Sequence, residues 1–170
     1  YLAKHSHWSP FEMVSLCLEI KTTRDIGRQI LRHRSFSFQE FSQRYAAVTD
    51  SVEFREARLQ DQKNRQNSIK TDDKELARIW ELRQIAVENA SSEAYQWALE
   101  NGIAKEQARA VLPEGMTKST MYMNGTLRSW IHYCQLRCAN GTQLEHQEIA
   151  LKAWEIILKE FPSLEHILEE

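Results

Sequence analysis

Hydrophobic residues change their spacing along the chain, and each change marks an element. Val14, Leu16, Leu18 and Ile20 recur at every second position, which predicts a half-buried strand over 13–23. Just before it, Ser9-Pro10 marks a turn or a helix start. The spacing then lengthens: Ile26, Ile30 and Leu31 form the stripe of a helix capped by Thr23 or Asp25 and running to about Arg34. Gln29, Arg32 and His33 fall at i, i+3, i+4 on an adjoining face of it.

A polar connector follows from Ala46 to about Ile69. Its Ser51–Leu59 part is read as holding a short strand, and Asp61–Ser68, with no apolar period, as a mobile or partner-facing loop. Asp72 with Glu75 makes a capping-box-like start to a long helix. Ala77, Trp80, Leu82, Ile85, Ala94 and Trp97 carry its period to the stop at Asn101-Gly102. A short helix is predicted over Ala104–Ala108, then a short strand, Ala110-Val111-Leu112, stopped by Pro113. Thr117–Met123 reads as a strand and Asn124-Gly125 as a turn. Thr126 caps a helix over Leu127–Arg137 that buries Leu127, Trp130, Ile131 and Cys134 and sets Arg128, His132 and Gln135 on another face. After a break at Cys138–Gly141, Thr142-Gln143-Leu144-Glu145 reads as a capping box opening a last amphipathic helix, which ends near Phe161-Pro162. Strands among helices without βαβ regularity, a glycine-rich phosphate loop or an internal repeat predict an α+β fold. Its antiparallel or mixed sheet is flanked by helices in a single domain over 1–170.

Composition narrows the partners. Lys and Arg number 22 and Asp and Glu 24, a net charge of −2, so no global field draws the chain to nucleic acid or to an anionic membrane. No apolar run approaches a membrane span and no secretory signal is visible. The first residue is Tyr1 rather than Met, which leaves room for a missing N-terminal segment. Three cysteines without a CxxC pair argue for free thiols and a cytoplasmic protein. Cys134 and Cys138, at i, i+4, read as helix packing or, with two further ligands, as half a zinc site. His5-x-His7 reads as loop or, with a third ligand, as a metal pair. No metal site is expected.

The densest chemistry lies in Arg32-His33-Arg34-Ser35-Phe36-Ser37-Phe38-Gln39-Glu40-Phe41-Ser42-Gln43-Arg44-Tyr45. A solvated surface has no use for so many aromatics, nor a core for so many charges. A partly dry cleft for a flat anion uses both. The opposing reading is that the cations only complement a helix C-terminus. The chain has no GxSxG, HExxH, Walker loop or carboxylate-rich Mg²⁺ motif, so a cofactor is expected to supply the difficult step while the protein supplies binding and electrostatics. A nucleotide or single-stranded nucleic-acid binding module without catalysis, and a helical oligomer whose arginines make interface pairs, are the alternatives.

Arg32-His33-Arg34, followed by seven residues and Ser42, resembles the signature of the flavin-dependent thymidylate synthases, and Glu40, Arg44 and Tyr45 fit its longer form. His7-Trp8-Ser9-Pro10-Phe11-Glu12, the Asp61–Ser68 loop, Ala108-Arg109-Ala110-Val111-Leu112-Pro113 and the run from Asn124 to Arg137 with Gln143 and Glu145 are similar to further segments of that family. The sequence departs from the family's pattern at Gln39, where Asn is common, and at His132, Ala139 and Gly141. The resemblance implies reductive methylation of dUMP to dTMP, with 5,10-methylenetetrahydrofolate as carbon donor and FAD, reduced by NADPH, as hydride donor. It implies a homotetramer with long helices at its core and active sites shared between subunits. By position, FAD would be held by Ser9, Glu12, Arg32, His33, Arg34, Glu40, Thr126, Arg128 and His132. The dUMP would be held by Gln29, Arg32, Glu40, Ser42, Gln43, Arg44, Arg109 and Arg137. Arg137 would activate the uracil, Ser42 would bind without attacking, and His7 would gate access.

Overall fold

The computed structural model describes residues 1–45, 47 and 52–168. Its centre is a three-stranded antiparallel sheet in the order β1-β5-β2, built from β1 (Ser15–Thr23), β5 (Lys118–Thr126) and β2 (Ser37–Glu40). β1 and β5 pair along their full lengths, from Ser15 opposite Thr126 to Thr23 opposite Lys118. One face is dry. Ile20 from β1 and Met121 and Met123 from β5 pack on Ile26 and Ile30 of α1 (Arg24–Ile30) and on Leu127, Trp130, Ile131 and Cys134 of α4 (Leu127–Arg137). Ala150, Ala153, Trp154 and Ile157 of α5 (Leu144–Glu160) close the same core. Trp130 Nε1 donates to the Leu16 carbonyl at 3.1 Å, so its buried N–H is satisfied by the sheet.

The predicted α+β class and the antiparallel sheet hold, and several boundaries move. α1 ends at Ile30, and Leu31 to Phe36 turn the chain into β2, which the aromatic run did not announce as a strand. Asn124-Gly125 is not a turn: β5 runs through it, with Asn124 opposite both Cys17 and Ser37. The glycine has another purpose. A Cβ on Gly125 would lie 2.4 Å from Phe36 Cδ1, because that ring packs directly on the backbone. Ala110-Val111-Leu112 is not a strand: Arg109–Val111 is a 3-10 turn that continues α3 (Lys105–Ala108). The Thr142–Glu145 capping box does not form. The cap of α5 is Gln143, its side chain makes no capping bond, and both Gln143 and Glu145 turn to other partners. Thr126 caps α4 as expected, accepting from the Ser129 amide at 3.2 Å.

The polar connector contains a two-stranded hairpin, β3 (Arg58–Gln60) with β4 (Ser68–Lys70), around Asp61–Asn67; Ala46 and 48–51 lie outside the described residues. The long helix is α2 (Lys74–Glu100), capped by Asp73 rather than Asp72, since Asp73 Oδ1 accepts from the Leu76 amide. Its apolar period does not face the core. Only Gln84, Tyr95 and Ala98 are buried, while Leu82 is 49% exposed, Val87 50% and Trp97 59%. No described helix is long and apolar enough to cross a membrane.

Gly125→Ala is expected to destabilise the chain by about 1–3 kcal/mol, the usual result of forcing an extra carbon into a packed core. Chemical denaturation, with the midpoint and slope both recorded, checks it.

Candidate active site

The sheet carries α1 and α4 on one face with α5 packed against both, and the expected site residues gather in three places. In the first, Arg137 at the end of α4 donates its Nε–H to His33 Nε2 at 2.9 Å. A guanidinium has nothing to accept with, so Nε2 is the acceptor and the His33 ring is the neutral Nδ1–H tautomer. Burial, helped by the charges of Arg137 and His132, pushes His33 down from 6.5 to about 4. The edge of Tyr133 meets the His33 ring at a centroid distance of 4.9 Å. The Tyr133 hydroxyl is 3.1 Å from His146 Nε2, and His146 Nδ1 is 3.3 Å from Gln29 Oε1. Gln29 Nε2 donates to Gln143 Oε1 at 2.7 Å, and Gln143 Nε2 to Glu145 Oε2 at 2.9 Å. Glu145 also accepts from Arg58 and lies 3.8 Å from Arg55. Gln29, His33 and Arg137 thus share one region, in which the Tyr133–His33 ring contact joins two sets of hydrogen bonds.

The second group lines a cleft of about 750 Å³ between the N-terminal turn and α4. Glu12, Thr126, Arg128 and His132 line it, with Trp8 and Ser35. Arg128 bonds Glu12 across its mouth. Ser9 is exposed in the same 3-10 turn as Glu12. Cationic, aromatic and hydroxyl groups around a cleft of this size fit a phosphate-bearing ligand with flat rings. Thr126 has its hydroxyl occupied by the helix cap.

The third group follows β2. Glu40 accepts from Arg24 at 3.1 Å and from Ser119 at 2.8 Å. Gln43 is buried, and Ser42 Oγ accepts from the Arg44 amide at 3.3 Å. Arg44 and Arg109 meet on one residue: Arg44 reaches the Glu106 carboxylate at 3.4 Å and Arg109 the Glu106 carbonyl at 3.3 Å. Arg32 and Arg34 join none of these groups. Both are exposed, and neither side chain bonds another described residue. His7 is exposed, with its ring 6.0 Å from Tyr1 and 6.3 Å from His5. No cluster of three His, Cys, Asp or Glu suited to a metal occurs among the described residues. Cys134 is buried in the core, its thiol pushed up by the neighbouring Cys138 and by burial.

Comparison with known proteins bears on the family of the chain. The family described as "Thymidylate synthase complementing protein" matches residues 1–163. A "Probable flavin-dependent thymidylate synthase" of Paramecium bursaria Chlorella virus 1 is 51% identical over 169 residues, 99% of this chain and 78% of that protein. The chain belongs to the flavin-dependent thymidylate synthase family. A member from Synechocystis sp. is 52% identical, also over 99% of this chain and 78% of the relative. Among solved structures, a UMP/dUMP methylase, PolB from Streptomyces cacaoi bound with 5-Br UMP, superposes with a TM-score of 0.84. It is 27% identical and matches 94% of this chain and 75% of that one.

Beside the motifs of the flavin-dependent thymidylate synthase family, the first group contains side chains that the sequence analysis passed over. His146 and Tyr133 are fully buried between Gln29 and His33, and Arg55 and Arg58 hold Glu145. A signal for His146 was present: it stands on the apolar stripe of α5, four residues before Ala150 and eight before Trp154. Arg55 and Arg58 stand in the part of the polar connector read as holding a short strand, and nothing in the sequence joins them to Glu145.

His146, like His33, is held neutral by burial, with Arg137 and His33 adding, and is pushed down from 6.5 to about 4. Below the ordinary imidazole value of 6.5 the unfolded chain takes up protons that these two folded rings refuse. Their share of the stability is therefore present above 6.5 and lost as pH falls toward 4. Thermal unfolding across that interval is expected to show a falling midpoint, and a flatter fall in His146→Leu.

Proposed function

We propose that this chain is a flavin-dependent thymidylate synthase that converts dUMP to dTMP with 5,10-methylenetetrahydrofolate as the carbon source, works in the cytoplasm and assembles as a homotetramer. The observation that carries the reading is the Arg137–His33 contact beside Gln29, in a chain about half identical to named members of that family.

In this reading Arg137 activates the pyrimidine. Its Nε is committed to His33, which leaves the two terminal nitrogens to fork onto a uracil carbonyl. A permanent cation there stabilises the negative charge of a ring ionised at N3 and makes C5 a better carbon nucleophile. Gln29, Gln43, Arg44 and Arg109 hold the nucleotide, with Arg44 and Arg109 suited to its phosphate. Ser42 binds and does not attack, and its contact in the chain is a backbone amide rather than a base. Glu40, already fixed by Arg24 and Ser119, orients the sugar side or the flavin edge.

Ser9, Glu12, Arg128 and His132 line or border the cleft that would receive FAD; Arg32, His33 and Arg34, and His7 as a gate, are assigned to FAD by the family motif alone. When bound and reduced by NADPH, FAD supplies the hydride that completes the methyl group. His33, neutral at working pH, adds no second positive charge beside Arg137 and can offer its Nδ1–H to a phosphate or carbonyl oxygen. The apolar face of α2, with Leu82, Val87 and Trp97 exposed, suits the core of the tetramer.

Freshly purified protein is expected to be yellow, to oxidise NADPH and to make dTMP from dUMP and methylenetetrahydrofolate. A colourless tetramer that binds no dUMP would sink the reading. Arg137→Ala is expected to keep fold and flavin and to lose at least about 100-fold in dTMP formation, the usual scale for removing charge stabilisation at a reacting group. Arg44→Ala is expected to weaken dUMP binding about tenfold while leaving flavin content unchanged, as read by a dUMP titration.

A further inference from the structure

Four hydrogen bonds in the first group link Glu145 to Tyr133 in one chain, and donor chemistry fixes the direction of each. Glu145 is its anchor. The carboxylate is only 16% exposed and stands against Arg58 and Arg55, so it accepts and does not donate. Gln143 must therefore present its Nε2 to Glu145 and its Oε1 to Gln29. Gln29 in turn must present Nε2 to Gln143, which points its Oε1 at His146. An amide oxygen cannot donate, so His146 Nδ1 carries the proton. The neutral ring then accepts at Nε2, and the Tyr133 hydroxyl is the donor. Reversing a link would leave two donors or two acceptors facing each other, and at His146 and Tyr133 no water reaches the mismatch.

We propose that His146 is a positioning residue: its Nδ1–H holds the Oε1 side of the Gln29 amide, whose Nε2 side Gln143 holds, and its bond to Tyr133 steadies the ring against which His33 is set. This role rests on the thymidylate synthase reading, in which Gln29 holds dUMP and Arg137 activates it. Without the ring, Gln29 Oε1 loses its donor and the amide is held through Gln143 alone, so its placement at the nucleotide loosens. Tyr133 would lose its acceptor at the same time. The ring edge of Tyr133 meets His33, the acceptor of Arg137, so the same change loosens the guanidinium. A displacement of this kind at a reacting group costs rate far out of proportion to the distance moved.

Four holoproteins decide it: wild type, His146→Leu, His146→Gln and Tyr133→Phe, each measured for flavin content, assembly, KM for dUMP and kcat. His146→Leu is expected to keep flavin and assembly and to raise KM for dUMP about tenfold, with a smaller fall in kcat. His146→Gln, whose amide N–H can also reach Gln29 Oε1, is expected to recover most of that loss. Tyr133→Phe is expected to fall between wild type and His146→Leu. Independently of any variant, nitrogen NMR of histidine-labelled wild type is expected to show His146 as the neutral Nδ1–H tautomer at neutral pH. Wild-type constants in His146→Leu, equal losses in the Leu and Gln variants, or an Nε2–H tautomer overturn the assignment while leaving an active enzyme. A wild-type protein that makes no dTMP overturns the functional reading and this role with it. Should His146→Leu fail to fold, the tautomer and Tyr133→Phe settle the matter: an Nε2–H ring or wild-type constants count against it.

Discussion

The nine-residue register between β1 and β5 is the constraint on which the rest depends. β1 runs directly into α1 and β5 directly into α4, so pairing the strands fixes where both helices begin. From those two starts, residues 104 positions apart in the chain, His33 and Arg137, arrive within one hydrogen bond. Thr126 and Val14 lock the corner: Thr126 caps α4, and the Leu127 amide donates to the Val14 carbonyl at 2.8 Å. A one-residue slip would turn Met121 and Met123 outward and carry Arg137 away from His33 in the same movement. Core and site therefore share a single geometric cause.

Electrostatics then decide what the shared region can do. Arg137 is a permanent cation, partly buried beside two imidazoles. Two more cations there would repel it and one another. Burial removes that possibility by holding both rings neutral, and neutrality lets each ring accept a hydrogen bond: His33 from Arg137, His146 from Tyr133. The negative charge that balances the region lies at Glu145, at the far end of the amide chain and against Arg58 and Arg55. The fork of Arg137 is thus left without a carboxylate partner among the described residues.

Local signals in the sequence carried the outer elements and the motif residues well. The alternation over Val14–Ile20 announced β1, and Thr126 before Leu127 announced α4 to the residue. Long-range causes were not legible. Asn124-Gly125 carries strong turn chemistry, yet the register with β1 and the Phe36 ring make it strand, and only the folded chain shows the ring over the glycine. The Thr142–Glu145 pattern satisfies a capping box, but Gln143 and Glu145 gain more from Gln29 and Arg58 than from a helix end. In α2 the apolar period announces the helix but not what its apolar face meets. Periodicity reports that a face is to be buried, not which chain buries it.

Surface ion pairs explain why the remaining arginines are spread out in one chain. Arg44–Glu106 and Arg128–Glu12 are each about half exposed, and pairs of that kind contribute little, about 0–1 kcal/mol. Arg32 and Arg34 have no such partner among the described residues. An incoming phosphate can therefore displace either acidic partner at small cost, gaining charge-assisted bonds roughly twice as strong as neutral ones. Glu40 is different: with Arg24 14% exposed and Glu40 26%, and Ser119 as a second donor, it stays fixed. For the activity proposed, the division is physical. Buried pairs such as Arg24–Glu40 and Arg58–Glu145 hold the framework, and weakly engaged arginines at the surface remain available. In the proposed tetramer, the exposed apolar face of α2 would let a second copy bring its own arginines alongside.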